Sequence, residues 1–123
     1  MQLDVLAIVG DAVWIFVMAT IASATRRAAK VIPADARVPM QWSLRGRTVW
    51  RAPRTVAFLL VVGIPLALGL ILSAAARAPG PDTGGPLLLF LVRLALAPVM
   101  ALVHLVWLRR AMRALDSEGV LKP

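Results

Sequence analysis

Three long apolar stretches, separated by one basic segment and one short turn, set the pattern of this chain. Val5 to Ala24 is apolar except at Gly10, Asp11, Thr20 and Ser23. At 1.5 Å per residue a helix of that length reaches about 30 Å, the thickness of a bilayer's hydrocarbon core. Thr55 to Ala76 carries no charged residue and spans a bilayer with some tilt. Pro86 to Leu108 is interrupted by Arg93, Pro98 and His104 and is followed by Arg109 and Arg110. Trp107 beside that basic pair is an interface signature. The pattern predicts an all-α integral membrane protein with three transmembrane helices, over 5–24, 55–76 and 86–108. A basic loop at 26–54, a short loop at 77–85 and a tail at 109–123 complete a single membrane domain.

Breakers and small residues refine those helices. Pro65 has no N–H, so the Val61 carbonyl loses its helical partner and the second helix bends. Gly63 with Ala67, and Gly69 with Ser73, are small residues four apart that let another helix approach closely. Arg77 to Gly85 is dense in proline and glycine, a turn, and Pro86 suits a first helical position. Gly119 is the expected stop for any extension of the third helix. Ala22-Ser23-Ala24 is also a small-residue cleavage pattern, which raises a signal peptide as the rival for the first stretch. Asp4 and the lack of Lys or Arg before the apolar run favour a retained helix.

Composition narrows the class further. Sixty per cent hydrophobic residues and a mean hydropathy of +0.82 exceed soluble proteins, which are roughly 45–50% apolar. Without cysteine there is no disulfide, thiolate metal site or cysteine nucleophile. The net charge of +8 comes from basic residues that flank apolar runs. Anionic lipid headgroups are therefore the expected counter-charge, and nucleic acid is not.

Basic short loops stay in the cytoplasm. The segment 26–54 holds eight basic residues against Asp35 alone, the loop 77–85 holds only Arg77, and the tail holds four. Three spans place the basic segment and the tail on one side. The expected orientation is N-terminus outside, with the loop 26–54 and the C-terminus inside.

Asp11 and Arg93 stand within the spans, where a charge costs about 2.5–3.5 kcal/mol on insertion scales. Counted back from Arg26 and Arg109, both sit about 22–24 Å above the inner boundary. Opposite signs at matched depth predict a salt bridge between the first and third helices. The competing reading has Arg93 reaching outer headgroups while Asp11 is hydrated or protonated. His104 lies eleven residues after Arg93, on the same helical face as Ala97 and Met100. It is a candidate proton-linked group, with a packing or interfacial role as the alternative.

No catalytic site assembles from these residues. The chain has one histidine and six acids, with no HExxH, P-loop or G-x-S-x-G. The expectation is a protein that is not an enzyme and holds no cofactor or metal.

The basic segment has its own pattern. Val38, Met40 and Trp42 alternate with Pro39, Gln41 and Ser43, the period of a strand, and Thr48, Val49 and Trp50 favour a second one. A hairpin reversing around Leu44–Arg47 is expected, its tryptophans in the headgroup layer. Arg45, Arg47, Arg51 and Arg54 would meet lipid phosphates, at about 1 kcal/mol each. A flexible basic loop that only sets topology is the alternative.

These residues resemble the N-terminal region of small bacterial membrane proteins of the SdpI type. There a transmembrane helix precedes a loop reading Pro-x-His-aromatic-Asn, a Gly three residues on and a basic lead into the next helix. Pro39, Trp42, Gly46 and the run Arg51 to Arg54 match, over about residues 30–70. Gln41 stands where the histidine is usual, and Ser43 where the asparagine is. The resemblance implies a multi-helix bacterial membrane protein, some relatives of which protect cells from a toxic peptide and relay its presence to a regulator. It carries over no catalytic or metal residue. The resulting expectation is an envelope-stress, immunity or signalling accessory acting through helix contacts and its basic loop. Two others stand beside it: a subunit of an oligomeric transporter with Asp11, Arg93 and His104 in a polar path, and a structural subunit of a membrane complex. The partner is a second copy or another membrane protein.

Overall fold

The computed structural model describes residues 2–78 and 85–123, the side chains of 2–4 aside. Three helices run Gln2–Ala29 (α1), Arg54–Arg77 (α2) and Gly85–Ser117 (α3). Each is long and apolar enough to cross a membrane. They extend the predicted spans, most of all α3, which continues nine residues beyond Leu108 to Ser117. The turn expected between Arg77 and Gly85 falls mostly outside the described residues.

Buried positions on α1 are Ala7, Gly10, Trp14, Val17, Ile21, Ala24, Thr25 and Ala28, which apart from Thr25 follow in alternating steps of three and four. That spacing makes one narrow seam, the pattern of helices packed side by side at a shallow crossing. α3 answers it with Arg93, Ala97, His104, Leu108, Ala111 and Leu115. α2 buries only Ala57, Pro65 and Gly69. It leans on α1 and touches α3 over a shorter stretch, so α1 is the central helix. Of the two small-residue pairs on α2, Gly69/Ser73 faces α1, whereas a Cβ at Gly63 would meet nothing and Ala67 is exposed. Between the charged helix ends, most of the remaining helix surface is apolar and open; Phe16 is 75% exposed, for example. That inversion is expected where the surroundings are lipid tails.

The basic segment forms an antiparallel hairpin, β1 (Arg37–Trp42) paired with β2 (Thr48–Pro53). The reversal occupies Ser43–Arg47, closed by Ser43 N–H to the Arg47 carbonyl at 2.7 Å, with Gly46 at φ 82°. Strict alternation does not hold. Register shifts on either side of Gln41 break the period, and Val38 and Pro39 are both buried. A bulge of this kind turns consecutive side chains out of phase.

The hairpin packs where the C-terminal ends of α1 and α3 meet the N-terminal end of α2. Val38, Ala52, Ala57, Leu108, Ala111 and Leu115 share one core with Ile32. Two of the arginines expected at lipid phosphates have partners within the chain. The Arg54 guanidinium donates to the Ala29 and Ile32 carbonyls at 3.2 and 2.8 Å, satisfying the end of α1. Arg51 pairs with Glu118 through both carboxylate oxygens, one of them at 3.0 Å. A fork on a carboxylate has this form, and a helix C-terminus gains from a cation.

α3 ends as its glycine predicts. Gly119 has φ 70°, and Val120 N–H reaches the Leu115 carbonyl at 3.0 Å, a Schellman closure. Lys122 N–H then donates to the Val31 carbonyl at 2.8 Å, tying the tail to the chain just beyond α1. The Arg51 hydrogen bond holds Glu118 below its ordinary 4.5. A carboxyl depressed on folding contributes stability above its unfolded pKa and loses it as pH falls through the folded value. The pair is partly solvated, so its contribution is under about 1 kcal/mol. The Lys122 amide is therefore expected to lose hydrogen-exchange protection as pH drops from the carboxyl's ordinary 4.5 through its lowered folded value. Glu118→Gln removes that pH dependence, and protection that is flat in the parent protein would overturn the assignment.

Candidate functional site

Two polar centres lie inside the helix bundle. The first holds Asp11, Arg93 and Arg77. Arg93 is 2% exposed, and its guanidinium pairs with Asp11 Oδ1. Gly10 makes this possible, since a Cβ there would lie 2.6 Å from Arg93 Nη1. The guanidinium thus rests on the α1 backbone, with Nη1 3.4 Å from the Ala7 carbonyl. Nε of Arg93 has no partner among the described residues.

Arg77 joins this pair from α2. Its Nη2 donates to Asp11 Oδ2 at 2.6 Å and its Nη1 to Ser73 Oγ at 2.8 Å. Sequence reasoning passed over Arg77 because a basic residue at a helix end needs no special explanation. The signal was Ser73 one turn before it, beside Gly69 on the face that meets α1.

Below the charges lies an apolar layer of Trp14, Val17, Ile21 and Ala97. Trp14 fills the notch at Gly69, where its indole occupies the space a Cβ would need. Its Nε1 donates to the Pro65 carbonyl at 3.1 Å.

The second centre is His104, eleven residues and about 16 Å further along α3. Nε2 lies 2.9 Å from Thr25 Oγ1, which is also 2.8 Å from the Ile21 carbonyl. Thr25 has one proton for two neighbours. If it goes to Ile21, His104 donates through Nε2; if to His104, the imidazole accepts. Val61, whose carbonyl Pro65 deprives of its helical N–H, lines the same crevice as the ring. Because the intervening layer is apolar and buried, Asp11 and Arg93 are not joined to His104 by a polar path within one chain.

His104 instead faces a crevice of about 340 Å³ between α2 and α3, with Ile64, Pro65 and Met100 on its walls. The hairpin covers one end of it with Met40, Gln41 and Trp50. Trp50 Nε1 donates to Gln41 Oε1 at 2.9 Å, and Trp107 Nε1 to the Pro39 carbonyl at 3.2 Å. The fold therefore gathers Pro39, Gln41 and His104, which the chain separates by more than sixty residues. Trp42 and Gly46 do not join them. Trp42 lies beneath the Arg110 guanidinium, 4.6 Å from its ring centre, and Gly46 is at the hairpin tip. Arg45 and Arg47 are exposed beside that tip, the two loop arginines free to meet lipid phosphate.

Among the described residues no group of three His, Asp or Glu side chains is placed to hold a metal ion. The chemistry available at the wall of this apolar crevice is hydrogen bonding by Gln41 and His104 and apolar contact with two indoles, whose N–H groups are already donated within the protein. No family model, curated protein or solved structure matches this chain.

Proposed function

We propose that this chain is a non-enzymatic accessory protein of a bacterial inner membrane, of the SdpI-like kind, serving envelope stress, immunity or signalling. It acts by contact with another membrane protein at the crevice beneath its hairpin. The observation that carries this reading is the convergence of Gln41, Trp50, Trp107 and His104 on one apolar crevice between α2 and α3. Apolar walls with a few convergent polar groups are the usual form of a recognition site. Tryptophans are the residues most often dominant in binding. A carrier using Asp11, Arg93 and His104 would need a second copy to bridge the apolar layer between them.

The test is a photocrosslinking residue at Ile64 or Met100 in native membranes. A discrete protein adduct is expected. Trp50→Ala with Trp107→Ala weakens capture by about 2 kcal/mol or more in partner affinity. Arg45→Gln with Arg47→Gln leaves it nearly intact. Equal loss from both pairs would reduce the hairpin to a charge anchor, and lipid adducts alone would sink the reading.

The charge distribution supports a cytoplasmic hairpin and tail. A reporter fused after Pro123 is expected to be active on the cytoplasmic side, and activity only on the far side would reverse the orientation.

A further inference from the structure

On the flank opposite the crevice, α1 and α3 leave a second depression, of about 520 Å³. Ala24 and Ala28 on α1 are too short to fill the space beside α3. The floor is therefore Ala24, Leu105, Leu108 and Met112, and Leu121 from the tail closes the inner end. Its rim carries Arg27 from α1 and Arg109 and Arg113 from α3, with Asp116 as the one acid. All three arginines are exposed, and none has a carboxylate partner among the described salt bridges.

The placement is specific. Leu105 precedes Arg109 by one helical turn, so the apolar floor runs toward the hydrocarbon core while the arginines stand at its inner edge. Arg113 lies one turn beyond Arg109, so the positive charge is stacked along the groove rather than spread around the protein. Three guanidinium groups against one carboxylate leave an excess of two positive charges over an apolar trough. Guanidinium groups bind phosphate through forked hydrogen bonds, and an arginine is less strongly hydrated than a lysine.

From this charge complementarity we infer that the α1–α3 flank is a binding site for one anionic phospholipid. Its phosphate lies between Arg27 and the pair Arg109 and Arg113, and an acyl chain follows Ala24, Leu105 and Leu108 toward the membrane centre. Asp116, at the inner end near Leu121, disfavours a headgroup that pushes further toward the cytoplasm. The site is separate from the hairpin arginines Arg45 and Arg47 and does not depend on what occupies the crevice.

The chain's lack of cysteine makes the test direct. A fluorescent label is placed at Leu105→Cys beside the groove. A second protein carries it at Leu59→Cys, an exposed position on α2 five residues from Arg54 and so at similar depth. Both are reconstituted in vesicles of zwitterionic phospholipid containing increasing fractions of a brominated anionic phospholipid, and quenching is read at each. The label at 105 is expected to report a relative binding constant for the anionic lipid about fivefold or more above that at 59, the gain of roughly one phosphate contact. Arg27→Gln, Arg109→Gln and Arg113→Gln together bring position 105 down to the value at 59. Quenching at 59 in that triple variant stays as in the parent, which shows that the protein is inserted. Should the triple variant fail to insert, Arg109→Gln alone must lower the preference at least twofold. Equal constants at the two positions, or a preference at 105 that survives loss of the arginines, would overturn the site.

Discussion

Asp11→Asn is expected to lower the unfolding free energy of the purified protein by about 3–5 kcal/mol, measured by reversible denaturation in mixed micelles. The reason is the state in which it leaves Arg93. That guanidinium is 2% exposed and, among the described residues, has an unpartnered Nε and relies on Asp11 for its one ion pair. Breaking a buried pair from one side strands a charge, which costs far more than the pair itself contributes. Arg77→Gln is expected to cost under about 1 kcal/mol, because Arg77 is largely exposed and solvent or headgroups can replace it. Asp11→Leu with Arg93→Met recovers most of the loss, since it removes both charges at once. The reciprocal exchange, Asp11→Arg with Arg93→Asp, recovers less, because the arginine placed at position 11 faces Arg77. Equal costs for Asp11→Asn and Arg77→Gln would mean that Arg93 is not the dependent partner.

Trp14→Ala is expected to cost about 3 kcal/mol in the same assay, the low end for such truncations. Lipid rather than water is the reference in a membrane, so the loss is of packing against Gly69 and of the hydrogen bond to Pro65. Gly69→Val costs a similar amount, about 2–3 kcal/mol, for the opposite reason. Its side chain occupies the volume already held by the indole. The two changes act on one notch and are therefore not additive. Trp14→Ala makes room for Gly69→Val, and the double variant is expected to be more stable than the two single costs predict. Strict additivity would show that the indole and the glycine do not share that space.

The three spans were legible because the energetics behind them are local. A run of apolar residues long enough to cross a bilayer must be helical, whatever it packs against. The matched depth of Asp11 and Arg93 was legible for the same reason, since a charge in a span is costly wherever it sits. Gly119 as the stop of α3 and the hairpin between α1 and α2 also follow from short-range rules, a left-handed glycine and a turn between β-formers. The seam on α1 could have been read too, from the three-and-four spacing of Ala7, Gly10, Trp14, Val17 and Ile21. A uniformly apolar helix hides it, because in lipid the buried face and the exposed face are equally hydrophobic.

What the chain's sequence alone determined is a three-helix membrane domain with a basic hairpin and opposite charges at one level. Tertiary structure decided which arginine does what. Arg51 paired with Glu118 at the surface, Arg54 closed the end of α1, Arg77 joined Asp11, and Arg45 and Arg47 stayed exposed at the hairpin tip. It also decided that Gln41, Trp50, Trp107 and His104 share a crevice while an apolar layer keeps His104 apart from Arg93. Composition and spacing set the cost of placing a residue in the membrane. The partner it meets there depends on how the helices are rotated and on the register of a bulged hairpin, and no local rule specifies either.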